Sequence, residues 1–345
     1  MSRPKRIQDY GISIGRLPRG RLNKITDVKG VKVGHCTLDT EELKTGVTVV
    51  LPHEKNLFTH KVIAASYVLN GFGKSTGLMQ IDEVGTLETP IALTSTLNVG
   101  LVSDAIIAYM LKDLKSENPE VKSINAVVCE CNDAYLSNVY LRAVKEEHVF
   151  KALESCCSDF EEGDVGAGKG TSCHQLKGGI GSASRLISLD GNDYTVGVLV
   201  QTNYGLLEDL TINGNNIGKD LIAKIGEKGT TDKGSVIIII ATDIPCTSRQ
   251  LRRACKRAGV GLARVGSYTD NGSGEIMIAF STANTILHDE KRDIVSIQAI
   301  SETRMNKIFR AVAEACEEAI LNSMITAHRV VGYSGNTRES LKDYL

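Results

Sequence analysis

The chain has 345 residues, 42% hydrophobic and 23% charged, which fits a globular protein with room for a sizeable core. Lys+Arg 40 against Asp+Glu 41 leaves a net charge of -1, and with no Trp and 5% aromatics there is no footprint for nucleic acid or an anionic membrane. No apolar stretch approaches the roughly 20 residues of a bilayer span, and the basic N-terminus lacks the apolar segment of a secretory signal, so a cytoplasmic protein with no membrane partner is expected.

In chain order, residues 21–50 predict a meander of short strands. Further strands are expected at 61–69 (KVIAASYVL) and 90–95 (PIALTS). Helical spacing over 99–114 puts Val102, Ile106, Tyr109 and Met110 near one face, with Ser103 as cap. Residues 125–131 (NAVVCEC) predict a strand, and Val149 to Glu162 a helix ending in an acidic cluster. A glycine-rich segment at 176–185 leads to a strand at 195–201 (TVGVLVQ). The polar stretch 226–234 (GEKGTTDKG) reads as an exposed loop.

The densest apolar run, Val236 to Ala241 (VIIIIA), predicts a strand buried on both faces. A helix over Ser248 to Gly259 follows, with Ser248 as cap and Gly259 past its end. A strand at 276–281 (IMIAFS) and a long helix over 301–327 complete the chain. Hairpin-like runs outnumber βαβ alternation, which favours helices packed outside layered sheets in a single domain, 1–345.

Two glycine-rich motifs imitate phosphate loops. Gly163 to Thr171 (GDVGAGKGT) is preceded by SCCSDFEE, which is not strand-like, and Gly170 stands where Ser or Thr should hold magnesium. Gly73-Lys74-Ser75 has Val68 where the first glycine belongs. His35-Cys36 and Cys173-His174 are adjacent pairs whose side chains point apart on a strand, so they read as satisfied core residues. Nine cysteines without metal-ligand spacing suggest reduced, mostly buried thiols and no zinc site. No metal or organic cofactor is called for.

The chemistry converges on Gly234-Ser235 at the mouth of the VIIIIA strand. Cleavage between them would give Ser235 a hydroxyl nucleophile and a free α-amine able to act as its own base. Ser273 and Glu275 precede the next strand, where Ser273 could orient a hydrogen bond and Glu275 stabilise the protonated amine. Asn203, at the end of another strand, is a suitable oxyanion donor. Glu130, at a further strand end, could bind the free ammonium of a substrate. For each of these residues, a turn or exposed surface role competes with the chemical one.

Seven blocks in one order carry a resemblance over nearly the whole chain. They are ITDVKGVKVGH at 25–35, TGVTVVLPH at 45–53, NGFGKSTG at 70–77, CHQLKGGIGSASR at 173–185, YTVGVLVQTNYG at 194–205, GSVIIIIATDIP at 234–245 and TDNGSGEIMIAFST at 269–282. The chain resembles the DmpA-type aminopeptidases, a family of L-aminopeptidase/D-esterase-amidases and β-peptidyl aminopeptidases. The resemblance implies an α/β fold, an αββα sandwich of N-terminal-nucleophile type related to the ornithine acetyltransferase fold. It also implies self-processing into 1–234 and 235–345, and a homo-oligomer of processed protomers.

On the same ground Ser235 is the expected nucleophile, Ser273 and Glu275 its partners, Asn203 the oxyanion-side residue and Glu130 the receptor of the substrate amine. Substrates would be small peptides or aminoacyl amides and esters, with acceptance of D- or β-residues left open. Asn132 stands where the family has a tyrosine, which puts the second oxyanion contact in question. The alternatives are an acyltransferase, a nucleotide-binding protein with a phosphate loop, and a non-catalytic binding homologue.

Overall fold

The computed structural model describes residues 4–117, 119–226 and 234–345. Its principal sheet is six-stranded, in the order β10-β11-β14-β15-β3-β5. These strands are β3 (His60–Gly71), β5 (Thr86–Leu87), β10 (Ile180–Leu189), β11 (Asn192–Asn203), β14 (Ser235–Thr242) and β15 (Gly274–Leu287). A five-stranded sheet has the order β1-β2-β6-β7-β4, with β1 (Lys32–Asp39), β2 (Lys44–Leu51), β4 (Ser75–Thr76), β6 (Ile91–Ser95) and β7 (Val127–Cys131). Three short ribbons pair β8 (Ser172–Cys173) with β9 (Leu176–Lys177), β12 (Thr211–Ile212) with β13 (Asn215–Asn216), and β16 (Val330–Val331) with β17 (Thr337–Arg338). The helices are α1 (Leu78–Val84), α2 (Val99–Glu117), α3 (Glu146–Glu154), α4 (Gly218–Ile225), α5 (Ser248–Val265) and α6 (Met305–Ile325).

Strand alternation sorts the apolar side chains into three layers. Ile237 and Ile239 of β14 face Leu93, Val127 and Cys129 between the two sheets. Val236, Ile238 and Ile240 point the other way, against Leu262 of α5 and Ile320 of α6. On the far side of the smaller sheet, Val49 and Val128 pack on Val102 and Ile106 of α2 and Val149 of α3. The result is the expected αββα sandwich. Every residue of β14 is buried, as an apolar run covered on both faces requires.

Several boundaries differ from the sequence reading. Ser103 lies inside α2, because a 3-10 turn over Thr96–Asn98 runs directly into the helix at Val99. α3 stops at Glu154, so the acidic pair at 161–162 lies outside it. The cap of α5 is Thr247, and the helix continues through Gly259 to Gly266, whose left-handed backbone ends it. Of the stretch read as an exposed loop, 227–233 lie outside the described residues, and Gly234 itself is buried.

Candidate active site

β14 and β15 are parallel neighbours joined through α5, so their starts lie side by side. Ser235 opens β14 and registers with Gly274 of β15 and, antiparallel, with Asn203 at the end of β11. Directly paired residues share a face of a sheet. The side chains of Ser235 and Asn203 therefore point into the space between the sheets, in phase with Ile237 and Gln201. Val236 and Glu275, the next pair, share the helix-facing side. Of the residues expected to converge, Ser235 and Asn203 thus share one face at the end of these strands, while Glu275 lies on the opposite face.

Ser235 is 4% exposed, and its Oγ has no hydrogen-bond partner among the described residues. Its carbonyl accepts from Cys131 Sγ at 3.5 Å, and the same thiol reaches Gln201 O at 3.5 Å. The carbonyl of Gly234 accepts from Gly274 N at 3.1 Å. A Cβ on Gly234 would lie 2.4 Å from Asn203 O and 2.6 Å from Tyr204 Cα, so close packing excludes any side chain there. A cleft lined by Tyr204, Gly205, Tyr268, Asp270 and Ser273 opens beside Gly234.

Ser273 Oγ donates to Glu275 Oε1, while Glu275 Oε2 is buried without a partner. Burial pushes the Glu275 carboxyl above its ordinary value, against the hydrogen bond from Ser273 that holds it down. Asn203 Oδ1 accepts from Ser172 N at 2.9 Å, which fixes the side chain of the oxyanion candidate. Glu130 is buried on β7. Its Oε1 accepts from Lys74 N at 3.0 Å and its Oε2 from Thr96 Oγ1, so two loops hold the carboxylate. Asn132 is exposed, and its Oδ1 closes a turn onto Ala134 N at 2.8 Å.

Cys131, Thr96, Ser172 and the amide of Lys74 were not singled out from the sequence. Only the last belonged to a noted motif, NGFGKSTG. The decoy motifs resolve differently. The segment before Gly163 forms no strand, and Lys169 Nζ is held by Asp39 at 2.8 Å and Asp164 at 2.9 Å, so it cradles no phosphate. His35 bonds Thr48 Oγ1 and Glu161 O, as a satisfied structural imidazole does, whereas His174 bonds Leu206 O through Nδ1 and leaves Nε2 buried without a partner. All nine cysteines are free, and no group of three or more His, Cys, Asp or Glu side chains placed to hold a metal ion occurs among the described residues. None of the described helices is long and apolar enough to cross a membrane.

The four layers, two packed sheets with helices outside both, define the αββα sandwich class. The profile of peptidase family S58 matches residues 23–338. A β-peptidyl aminopeptidase of Sphingosinicella microcystinivorans is 36% identical across 97% of this chain and 89% of its own length. A solved protein of Pyrococcus horikoshii OT3 is 47% identical with a TM-score of 0.93, covering 98% of this chain and 96% of that one. The L-aminopeptidase D-Ala-esterase/amidase of Ochrobactrum anthropi, described as a variant of the Ntn hydrolase fold, is 32% identical with a TM-score of 0.91. It covers 97% of this chain and 95% of that one. The chain belongs to peptidase family S58 and is a serine aminopeptidase.

Proposed function

We propose that the chain is a precursor that cleaves itself between Gly234 and Ser235 into 1–234 and 235–345, and that Ser235 is then the N-terminal nucleophile. The observation that carries this reading is the position of Ser235. It is buried and opens the central strand, its hydroxyl is uncommitted, and a cleft lies beside the bond to be cut. In the first step Ser235 Oγ attacks the Gly234 carbonyl, and the amide nitrogen leaves as the α-amine in an N-to-O acyl shift. Water then hydrolyses the ester, releasing the Gly234 carboxylate and regenerating the hydroxyl. The freed amine has a reference pKa of about 7.7–8.0, so a useful fraction is neutral near pH 7 and can take the proton of Oγ.

In turnover Ser235 Oγ adds to the scissile carbonyl of a substrate. Asn203 offers its amide Nδ2 to the oxyanion, its Oδ1 being held by Ser172. The Ser273–Glu275 pair compensates the ammonium that forms when the α-amine accepts the proton. Collapse expels the leaving amine or alcohol, and water hydrolyses the acyl-enzyme. Glu130 receives the free ammonium of the substrate, which restricts the enzyme to amino-terminal residues, and Asn132 borders that end of the site. The substrates are short peptides and aminoacyl amides or esters. The names of the relatives extend this to β-peptides and D-alanyl esters. The processed protomers assemble as a homo-oligomer in the cytoplasm.

Intact mass of the purified protein tests the reading. Two fragments are expected, the second beginning at Ser235, with a single uncut chain for Ser235→Ala. An uncut wild-type chain that hydrolyses aminoacyl amides would sink the N-terminal amine mechanism.

A further inference from the structure

The ribbon β8–β9 and the chain that follows it bracket Asn203 at the end of β11. On one side Thr202 N donates to Gly179 O at 3.0 Å, and on the other His174 N donates to Tyr204 O at 2.7 Å. Within the ribbon Ser172 is paired with Lys177. Lys177 is fully buried, and its Nζ donates to three backbone carbonyls: Gly168 O at 2.9 Å, Thr171 O at 2.8 Å and Gly178 O at 2.6 Å. Gly168 and Thr171 belong to GDVGAGKGT, so the stretch that imitates a phosphate loop turns carbonyls toward a cation.

A buried ammonium is costly, and an apolar side chain could fill the same space. Two of the three carbonyls do not need it. Gly168 O also accepts from Thr171 Oγ1 at 3.2 Å, and Thr171 O from Gly178 N at 3.3 Å. Burial pushes the Lys177 ammonium down to about 7, while the charge of Asp164 pulls the other way. Three acceptors take three protons, which only the ammonium carries, so these bonds favour the charged form.

The Thr171 carbonyl and the Ser172 N–H are the two ends of one planar, conjugated peptide. Lys177 binds the first end, and the second donates to Asn203 Oδ1 at 2.9 Å. A charged donor on a peptide oxygen polarises the N–H at the other end, and bonds in such a chain strengthen one another in a dry interior. The side-chain amide of Asn203 passes the effect from Oδ1 to Nδ2. We propose that Lys177 is a positioning residue for the oxyanion donor, acting through the Thr171–Ser172 peptide to orient and polarise the amide of Asn203. This rests on the oxyanion role given to Asn203 above.

Steady-state hydrolysis of an aminoacyl amide by the processed protein tests the relay. Lys177→Met is expected to lower kcat about tenfold and to leave KM within about twofold. Asn203→Ala is expected to lower kcat about 100-fold or more, and adding Lys177→Met to it to lower kcat no further. A wild-type kcat in Lys177→Met overturns the relay, as does an equal loss from that change in both backgrounds, which marks a merely structural lysine. An unchanged kcat in Asn203→Ala removes the oxyanion reading itself, and the relay with it. Should Lys177→Met fail to fold or to process, neutron diffraction from wild-type crystals decides. Three deuterons on Nζ, with the Ser172 N–D directed at Asn203 Oδ1, support the relay. Two deuterons on Nζ, or an Asn203 side chain turned away from Ser172, overturn it.

Discussion

His174 buttresses the turn that carries the chain away from Asn203. Its backbone N donates to Tyr204 O at 2.7 Å, and its ring donates from Nδ1 to Leu206 O at 2.8 Å. Gly205 adopts a left-handed φ of +92°, and a Cβ there would come 2.7 Å from the imidazole, so the ring and the glycine fit each other. Nε2 is buried without a partner, and burial lowers the pKa from 6.5 to about 4 despite the bond to Leu206. The fold therefore holds a neutral imidazole, while the unfolded chain takes up a proton below pH 6.5. Stability is full above 6.5 and falls as pH drops toward 4, by about 3 kcal/mol for this group. Unfolding free energy measured from pH 7 to pH 4 is expected to fall more steeply for wild type than for His174→Gln. Parallel slopes would remove His174 from the account. At this scale Ser235, Asn203 and Glu275 were legible because each polar residue abuts an apolar run. Cys131, Thr96 and Ser172 were not, because their partners come from other strands, and a single sequence does not pair strands.

At the scale of elements, α5 sets β15 beside β14, and its start is a case of local chemistry that sequence leaves ambiguous. Thr247 and Ser248 are both capping residue types. In the structure Thr247 has extended backbone, its side chain accepts from Gln250 N, and Gln250 Oε1 accepts from Thr247 N at 3.0 Å, a reciprocal capping box. Ser248 is the first helical residue. Likewise Gly259 reads as a stop but lies within the helix. Gly261, two residues on, permits the close approach of α6, since a Cβ there would be 2.7 Å from Cys316 Cβ. Tertiary packing overrides the local signal. Thr247→Ala is expected to cost about 1 kcal/mol in denaturant unfolding, and Ser248→Ala only a few tenths. Equal costs for the two would mean that the capping box contributes little.

At the scale of the whole molecule, the layered plan was legible in the alternation and in the doubly buried run of β14. Strand order was not: β3 pairs with β15 across some two hundred residues of chain, and no local pattern announces that partner. A second unannounced feature locks the outer layer. Arg185 of β10 is fully buried beneath α6, where it meets Glu318 Oε2 at 2.6 Å and Glu314 Oε2 at 3.4 Å. It also donates to Ile14 O at 2.8 Å, and Glu318 takes Arg19 at 3.0 Å, so the N-terminal segment, the large sheet and the last helix meet in one charged knot. Such a knot contributes little net attraction once desolvation is counted, but removing one member strands the others in a dry environment. Arg185→Met should then cost about 3–5 kcal/mol. Arg185→Met combined with Glu318→Gln should recover part of that loss, because one stranded charge is gone. Urea unfolding of the two variants and wild type measures both terms. A single variant as stable as wild type would mean that Arg19 and Asn23 suffice to satisfy Glu318, and that the N-terminal segment is anchored without Arg185.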